Sequence, residues 1–518
     1  MIAALETRTK DAVTAATWAG FAMMCVGMFM AVLDVQVVAT SLPTIQQALG
    51  IAQDQMSWIQ TAYLIAEIIS IPLTGFLTRT LTMRWLFVAA ISIFTLASIG
   101  CAVSGSFATL IACRILQGFS GGTLIPAVFS AVFLLFPVRL QALATVIAGV
   151  LAVLAPTLGP VVGGWITATY SWPWLFLINV APGVIAAAVA YASLPKEAPA
   201  LDQARHLDLG SLTLGAIALA ALEIAIKEAP ERGWTSPLVA GLLAVCLIAA
   251  AAFITRTLRT SRPLVDLRTF RDANFSIGCL LSFVLGTGLF GSVYLMPVFL
   301  AYVRGHDALE IGEIMLVTGT AQLIAAPAAV ILVRHFDERL LIAFGFLLFA
   351  IGLGLSSAQS KTADFDEMFW PQLVRGWAIM FCILPPTQLA LGQLAEHTIA
   401  DASGLFNMMR NLGGAIGIAV IDTVIYSRAP AHARSLFDRL VAGDAGAAKT
   451  LGLPADAWQA ALLDPEKQAM LPPLIDKVAF AQAINEAWAL IALATLAALV
   501  VVPLARRTPR SEQTLRHA

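Results

Sequence analysis

Charge is scarce in this chain: of its 518 residues only 12% are Asp, Glu, Lys or Arg, whereas 59% are hydrophobic. An average soluble domain carries about twice that charged share. The net charge of −1 also lacks the strong basic bias of a nucleic-acid-binding protein. No glycine-rich loop of the nucleotide-binding type is present. The composition therefore predicts an integral membrane protein that neither binds nucleic acid nor is driven by ATP.

Cysteine is scarce too, and the six copies lie in separate apolar runs: Cys25, Cys101, Cys113, Cys246, Cys279 and Cys382. Their spacing does not match that of metal ligands. We therefore expect buried free thiols, without disulfides. The sequence predicts no metal site and no cofactor.

Long apolar runs are what the chain does contain. A bilayer core about 30 Å thick requires about 20 apolar residues per helix. Fourteen runs meet this length, at about 19–41, 56–78, 84–104, 107–136, 141–167, 172–194, 208–227, 237–257, 274–302, 309–333, 339–358, 369–391, 403–427 and 480–504. The sequence therefore predicts an all-α membrane protein with 14 transmembrane helices.

Lysine and arginine indicate which side of the membrane each loop occupies. The segment before the first run has both acidic and basic residues and no small-residue cleavage site after it, so we expect the first helix to be retained. Placing both termini in the cytoplasm leaves eighteen Lys and Arg on inner segments and four on short outer loops, namely Lys227, Arg232, Arg304 and Lys361. This asymmetry predicts cytoplasmic termini.

The order of the runs suggests two six-helix halves separated by two further spans, as in transporters built from repeats. We assign residues 1–18 to a cytoplasmic tail, 19–194 to an N-terminal six-helix bundle, 195–273 to the two additional helices and their linkers, 274–505 to a C-terminal six-helix bundle and 506–518 to a second tail. The second bundle includes a long periplasmic segment, 428–479. This segment is either a partly helical surface loop or a docking surface for another protein.

Three ionisable residues fall inside the first, second and fourth runs. Asp34, Glu67 and Arg114 lie roughly 13, 15 and 10 Å from the outer ends of their helices. Each costs at least about 2.5 kcal/mol in a helix centre, which favours a shared wet interior. One interpretation is a fixed salt bridge; the other is a carboxylate that exchanges its proton with water. The arginine keeps its proton, so the titrating group is acidic.

Glycine and proline are concentrated in the fifth run, VIAGVLAVLAPTLGPVVGGW. The residues concerned are Gly149, Pro156, Gly159, Pro160, Gly163 and Gly164. Small residues three or four apart allow helices to approach closely, and proline weakens the helical hydrogen-bond ladder. The pattern fits either tight packing or an interface that bends during transport.

The thirteenth run repeats the glycine spacing with Gly413 and Gly417. It adds Arg410, Asn411 and Asp422, which either line a transport pathway or bond to neighbouring helices. Arg375 and Glu486 lie near predicted outer ends, so we interpret them as interfacial residues.

Three motifs resemble the major facilitator superfamily, and within it the fourteen-span drug:proton antiporters of the EmrB/QacA type. They are LDVQVVATSLPTI in the first run, RILQGFSGG in the fourth and APTLGPVVGGW in the fifth. The resemblance covers about 20–427 and the last run. It implies the major facilitator fold, in which two bundles open a central cavity alternately to each side. It also implies that Asp34 is the proton-coupling acid and that Arg114 assists proton transfer.

The loop after the second run departs from the superfamily pattern. In GFLTRTLTMRW the chain keeps Gly75 and Arg84 but has Arg79 where the family has an acid, so the charge relay attributed to that loop lacks its acidic member. A basic residue there resembles the Gram-negative, EmrB-like branch. That resemblance implies a bacterial inner-membrane pump that works with a periplasmic adaptor and an outer-membrane channel.

The predicted function is proton-driven efflux of hydrophobic or amphipathic small molecules. An exporter of one endogenous metabolite, fatty acid or siderophore would share the same motifs and remains the alternative. A membrane enzyme would show a metal cluster, a nucleophile with its base or a cofactor loop, and the sequence has none of these. A channel fits flexing, repeated halves less well than a transporter does.

Overall fold

The computed structural model describes residues 13–51, 58–200, 202, 208–260, 263–453 and 471–506. The predictions for most of both tails and for residues 454–470 of the long segment 428–479 lie outside these ranges. Within them the chain is helical and contains no strand. The expected all-α architecture is confirmed.

The described ranges contain sixteen α-helices, numbered in chain order. They are α1 (Ala15–Leu49), α2 (Trp58–Ser70), α3 (Leu73–Ala102), α4 (Phe107–Leu135), α5 (Val138–Thr169), α6 (Trp174–Leu177), α7 (Val180–Ser193), α8 (Leu209–Arg232), α9 (Pro237–Arg259), α10 (Ala273–Phe299), α11 (Ala308–His335), α12 (Glu338–Leu355), α13 (Phe365–Leu391), α14 (Glu396–Val441), α15 (Ala445–Leu451) and α16 (Leu471–Ala497).

In the described ranges, 13 helical segments are long and apolar enough to cross a membrane. The second of the fourteen predicted spans is divided between two helices. Helix α2 stops before Pro72, whose nitrogen cannot donate a helical hydrogen bond, and α3 begins directly after it. Within α3 the backbone of Thr82 leaves the helical region, with φ 70° and ψ 159°. Residues 73–81 therefore complete the second span and residues 83–102 form the third, which gives fourteen.

Short polar residues define where several spans begin. The side chain at the residue before each helix accepts a hydrogen bond from a backbone N–H of the first turn, which satisfies a group that the helix leaves unpaired. This arrangement occurs at Ser106, Asp208, Asp272 and Asp307.

Two large cores correspond to the two halves, and each incorporates helices of the other half. One core contains Phe21, Phe87 and Phe94 of the first half together with α14 residues such as Phe406. The other contains Phe346 and Trp488 of the second half together with residues of α5. Helices α5 and α14 therefore hold the halves together. The assigned domain boundaries stay a prediction.

The two additional helices, α8 and α9, form a pair beside these bundles. Helix α8 contacts the first half where Lys227 lies 4.6 Å from the ring centre of Trp58. Just after α8, the indole N–H of Trp234 donates to Thr423 Oγ1 of α14 at 3.0 Å. The pair thus bridges the seam between the halves at the end opposite both described termini.

The described part of segment 428–479 is mainly helical. Helix α14 continues to Val441, well past the predicted end at 427, and α15 and α16 follow. A small core joins these pieces, formed mainly by Leu436, Leu440, Leu451, Leu471 and Ile475. The prediction of a partly helical segment is confirmed for the described residues, and the docking surface stays a prediction.

All six cysteines are free, as expected. Cys113 and Cys246 are only partly buried, so the expectation that every thiol is buried was too broad.

Candidate functional site

Asp34 is enclosed within the first half. It is 1% exposed, and its carboxylate accepts hydrogen bonds on both oxygens. The amides of Asn179 and Gln117 donate to Oδ1 at 2.8 and 2.9 Å. Arg114 forms an ion pair with Oδ2 through Nη1. Because every partner is a donor, the arrangement suits an ionised carboxylate.

Arg114 links this carboxylate to helix α2 and to Gln117 of its own helix, α4. Its Nε donates to the backbone oxygen of Ile59 at 3.1 Å, and Nη1 donates to Gln117 Oε1 at 2.7 Å. Its guanidinium carbon lies 4.3 Å from the ring centre of Tyr63. Nη2 is buried without an acceptor among the described residues. Arg114 is thus fully enclosed and responds directly to any change in the charge of Asp34.

The glycines of RILQGFSGG explain how α2 reaches this arginine. A Cβ at Gly118 would overlap the backbone oxygen of Tyr63, and one at Gly122 would overlap that of Glu67. Only glycine permits α2 and α4 to approach this closely. The motif therefore positions the aromatic ring beside the arginine as well as supplying the arginine itself.

Two polar residues of the site were missed by sequence reasoning. Gln117 lies three residues after Arg114 and also donates to Ser98 Oγ at 2.9 Å. Asn179 lies between α6 and α7 and is 2% exposed. The sequence offered a signal for Gln117, because residues three apart share a helix face and Gln117 therefore lies on the face of Arg114. Asn179 stood alone in an apolar run and had none.

Glu67 is less closely tied to this cluster than expected. It is one turn beyond Tyr63 on α2 and only partly buried. Within the described ranges its side chain has neither a hydrogen bond nor an ion pair, although it lies in electrostatic range of Arg114 and of Glu223 on α8. The structure therefore brings Asp34 and Arg114 together and leaves Glu67 beside them.

The motif of α5 lies against both halves. A Cβ at Gly159 would overlap the Gln36 side chain of α1, and one at Gly149 would lie 3.1 Å from Ile383 of α13. Close packing at these two glycines is confirmed. Helix α5 is continuous through Pro156 and Pro160. The carbonyls of Gly163 and Gly164 both accept from Thr167 Oγ1.

The basic residue in the loop motif has an acidic partner in the other half. Arg79 forms an ion pair with Asp401 of α14. Gly75 lies so close that a Cβ there would overlap Asp401 Oδ1. The charge that this loop lacks is therefore supplied by the facing helix. Arg84 is 8% exposed and lies 4.2 Å from the ring centre of Tyr191.

The polar residues of the thirteenth span separate in the fold. Arg410 is 6% exposed and lies near two phenyl rings. Asn411 is partly buried. Asp422 accepts a hydrogen bond from Tyr294 at 2.6 Å. Gly413 and Gly417 face α10, where a Cβ would overlap Phe283 O or lie 2.9 Å from Thr287.

The interpretation of Arg375 as an interfacial residue is wrong. It is 3% exposed and lies 5.1 Å from the ring centre of Trp488. Sequence depth alone could not distinguish an exposed arginine from an enclosed one.

Comparisons with known proteins agree with this architecture. The Major Facilitator Superfamily model matches residues 24–418. The Colistin resistance protein EmrB of Acinetobacter baumannii is 39% identical over 78% of this chain and 80% of its own length. The Multidrug export protein EmrB of Escherichia coli K12 is 32% identical over 78% and 79%, and the Fatty acid resistance protein FarB of Neisseria gonorrhoeae is 31% identical over 78% and 80%.

Among solved structures, the human organic anion transporter MFSD10 superposes with a TM-score of 0.60 at 15% identity, covering 94% of this chain and all of that one. The proton:xylose symporter XylE gives 0.57 at 14% identity, covering 96% and 97%. These likenesses support the fold. The chain belongs to the Major Facilitator Superfamily, among its EmrB-like exporters.

Proposed function

We propose that this protein exports hydrophobic or amphipathic small molecules from bacterial cells by exchanging them for protons across the inner membrane. The observation that carries the proposal is the enclosed carboxylate of Asp34, held by Arg114, Gln117 and Asn179. The multidrug-export names of its relatives support the substrate class. They do not favour the alternative of a single endogenous metabolite.

Protonation of Asp34 changes the balance within this cluster. A neutral carboxyl has one oxygen that donates, so at least one of its three donors loses its acceptor. Arg114 then has no counter-charge in a site with no exposed surface, which is costly inside a membrane. The bound proton therefore favours a rearranged packing of α1 and α4. A substrate that binds more tightly to the opposite arrangement therefore exchanges with the proton, because each ligand favours release of the other.

For a cavity to open toward the end with the termini, the contacts between the two halves at that end must break. There Ser403 Oγ donates to the Pro126 backbone oxygen at 3.0 Å, and Gly404 lies close to Ile71. The Arg79–Asp401 ion pair lies at the same end. We assign this end to the cytoplasm on the basis of the lysine and arginine distribution.

The test uses everted membrane vesicles and pH-dependent efflux of a fluorescent apolar dye. We expect Asp34→Asn to abolish transport driven by a pH gradient while the protein is still inserted. Glu67→Gln tests the other acid of the layer. Asp208→Asn is a matched control, because Asp208 also pairs with an arginine, Arg256, but at the ends of the two additional helices α8 and α9. Undiminished proton-driven efflux by Asp34→Asn would remove the assignment.

We further propose that the protein is the inner-membrane pump of a tripartite assembly with a periplasmic adaptor and an outer-membrane channel. The helical extension of α14 and α16 supports this, because it exposes Phe437 at 43% and Val441 at 59%. Mild crosslinking of intact cells should recover an adaptor bound to this extension. Recovery of the pump alone would remove the assembly and leave the antiport proposal intact.

A further inference from the structure

Helix α14 carries an arginine without an acid. Arg410 is 6% exposed, and its Nε and Nη2 are buried with no acceptor among the described residues. No described carboxylate forms an ion pair with it, whereas Arg79 and Arg114 both have one. An uncompensated charge at this depth is costly, so such a group normally binds an anion or meets water.

The surroundings of Arg410 are apolar on the sides facing the other half. Its guanidinium carbon lies 5.3 Å from the ring centre of Phe129 of α4 and 5.4 Å from that of Phe406. One turn earlier, Asn407 is 1% exposed and its Oδ1 has no donor among the described residues. A cation, an unused acceptor and one ring on α14 therefore lie together with a second ring on α4.

This stretch faces the seam between the halves. Ser403, seven residues before Arg410 and on the same helix face, bonds to the backbone of α4. Arg410 lies nine residues, or roughly 13 Å, beyond Asp401. When the Arg79–Asp401 pair separates, Arg410, which has no acidic partner among the described residues, is the cation that lies farther along α14.

We propose that Arg410 binds the carboxylate of an amphipathic anion, with Phe129 and Phe406 contacting the adjoining hydrocarbon. The inference rests on the proposed export function and names a substrate class for it. A guanidinium fork matches a carboxylate with two parallel hydrogen bonds. Closing the seam buries Arg410, and the bound anion supplies the counter-charge that the protein itself does not. The anion therefore favours the closed arrangement seen here.

Arg375 provides a matched control. It is also buried without a described carboxylate partner, and its Nε and Nη1 lack acceptors. Its neighbours Met296, Thr318 and Trp488 all belong to the second half. Removing it deletes a buried arginine without altering the seam.

The experiment measures equilibrium binding to the purified full-length protein in lipid nanodiscs, without any gradient. Two probes share a chain length: dodecanoate, which has a carboxylate, and dodecanol, which has none. We expect the wild type to bind dodecanoate roughly tenfold or more tightly than dodecanol at equal lipid content. Arg410→Gln should weaken dodecanoate roughly 10- to 100-fold and leave dodecanol nearly unchanged. Arg410→Lys should bind dodecanoate with an affinity between those of the wild type and Arg410→Gln. Arg375→Gln should keep the wild-type preference for dodecanoate over dodecanol.

Equal binding of dodecanoate and dodecanol to the wild type would overturn the proposal without any variant. An unchanged preference in Arg410→Gln, or an equal loss in Arg375→Gln, would also overturn it. If Arg410→Gln does not fold, Arg410→Lys and the wild-type probe series decide. Gradient-driven dye efflux by the wild type is scored separately. If the wild type exports the dye but does not prefer dodecanoate to dodecanol, only the anion site is refuted. If it prefers dodecanoate but does not export the dye, only the export function is refuted.

Discussion

The Arg79–Asp401 ion pair is expected to hold the two halves closed at the end with the termini. Its members differ in burial: the Arg79 side chain is 31% exposed and the Asp401 side chain 6%. Arg79→Ala therefore strands a buried carboxylate, whereas Asp401→Ala leaves an arginine that reaches water. Breaking a buried pair costs about 3–5 kcal/mol and an exposed pair at most about 1. We place Arg79→Ala at about 2–4 kcal/mol and Asp401→Ala at about 1 kcal/mol or less.

For Arg79→Ala this energy corresponds to a shift of roughly 30- to 1,000-fold toward the open arrangement. For Asp401→Ala it corresponds to a shift of roughly fivefold or less. Ser403 supplies the probe position, because it is fully buried at the same seam. In everted vesicles, a Ser403→Cys protein lacking its native cysteines is labelled with an impermeant maleimide. Labelling should accelerate far more with Arg79→Ala than with Asp401→Ala. Arg79→Asp should be faster still, because it places two acids together.

Charge reversal tests whether the pair itself is responsible. Adding Asp401→Arg to Arg79→Asp should slow labelling again, although incompletely, because Gly75 leaves little space beside residue 401. Arg256→Ala is the matched control, since the Arg256–Asp208 pair lies within the additional helices rather than between the halves. Wild-type labelling rates in Arg79→Ala, or a reversed pair labelled as fast as Arg79→Asp, would refute the reasoning.

Three further predictions follow from single contacts. Gly118→Val should push α2 away from α4, lowering dye efflux at least tenfold while Gly105→Val, which has open space around it, retains activity. Asn179→Ala removes one donor to Asp34, so the pH profile of efflux should shift toward higher pH, measured in everted vesicles. The hydrogen bond from Arg304 lowers the pKa of Asp364, so this stabilisation is present at neutral pH and is lost as the pH falls below about 4; thermal unfolding of Asp364→Asn should lack that acid-dependent loss.

The features that sequence predicted well are those carried by local pattern. Apolar length gave the fourteen spans, and depth along a helix placed Asp34 and Arg114 at matching levels, where the structure joins them. A carboxylate and an arginine that are each costly in lipid have few alternatives to finding one another. Depth matching failed for Glu67 because it fixes the level of a side chain but not its direction around the helix.

The features that sequence missed depend on contacts between distant segments. Asp401 lies more than 300 residues from Arg79, and nothing in the local sequence of either residue identifies the other. Asn179 was hidden for the same reason, since an isolated amide in an apolar run has no pattern. The end of α14 was misplaced because a polar sequence after residue 427 reads as a loop unless its packing on α16 is known.

The two halves use the same arginine position differently. Arg114 is on the fourth span of the first half and Arg375 is on the fourth span of the second, and each lies beside an aromatic ring. Arg114 has a carboxylate from the first span of its half, whereas the side chain from the corresponding span beside Arg375 is Met296, whose sulfur is 3.5 Å from Nη2. A thioether cannot take up a proton in the physiological range, so this position cannot titrate in the second half. If the halves derive from a repeat, proton exchange at this level is confined to the first half. The second half instead contributes Arg410 at the seam, and this cation suits the binding of an anion rather than of a second proton.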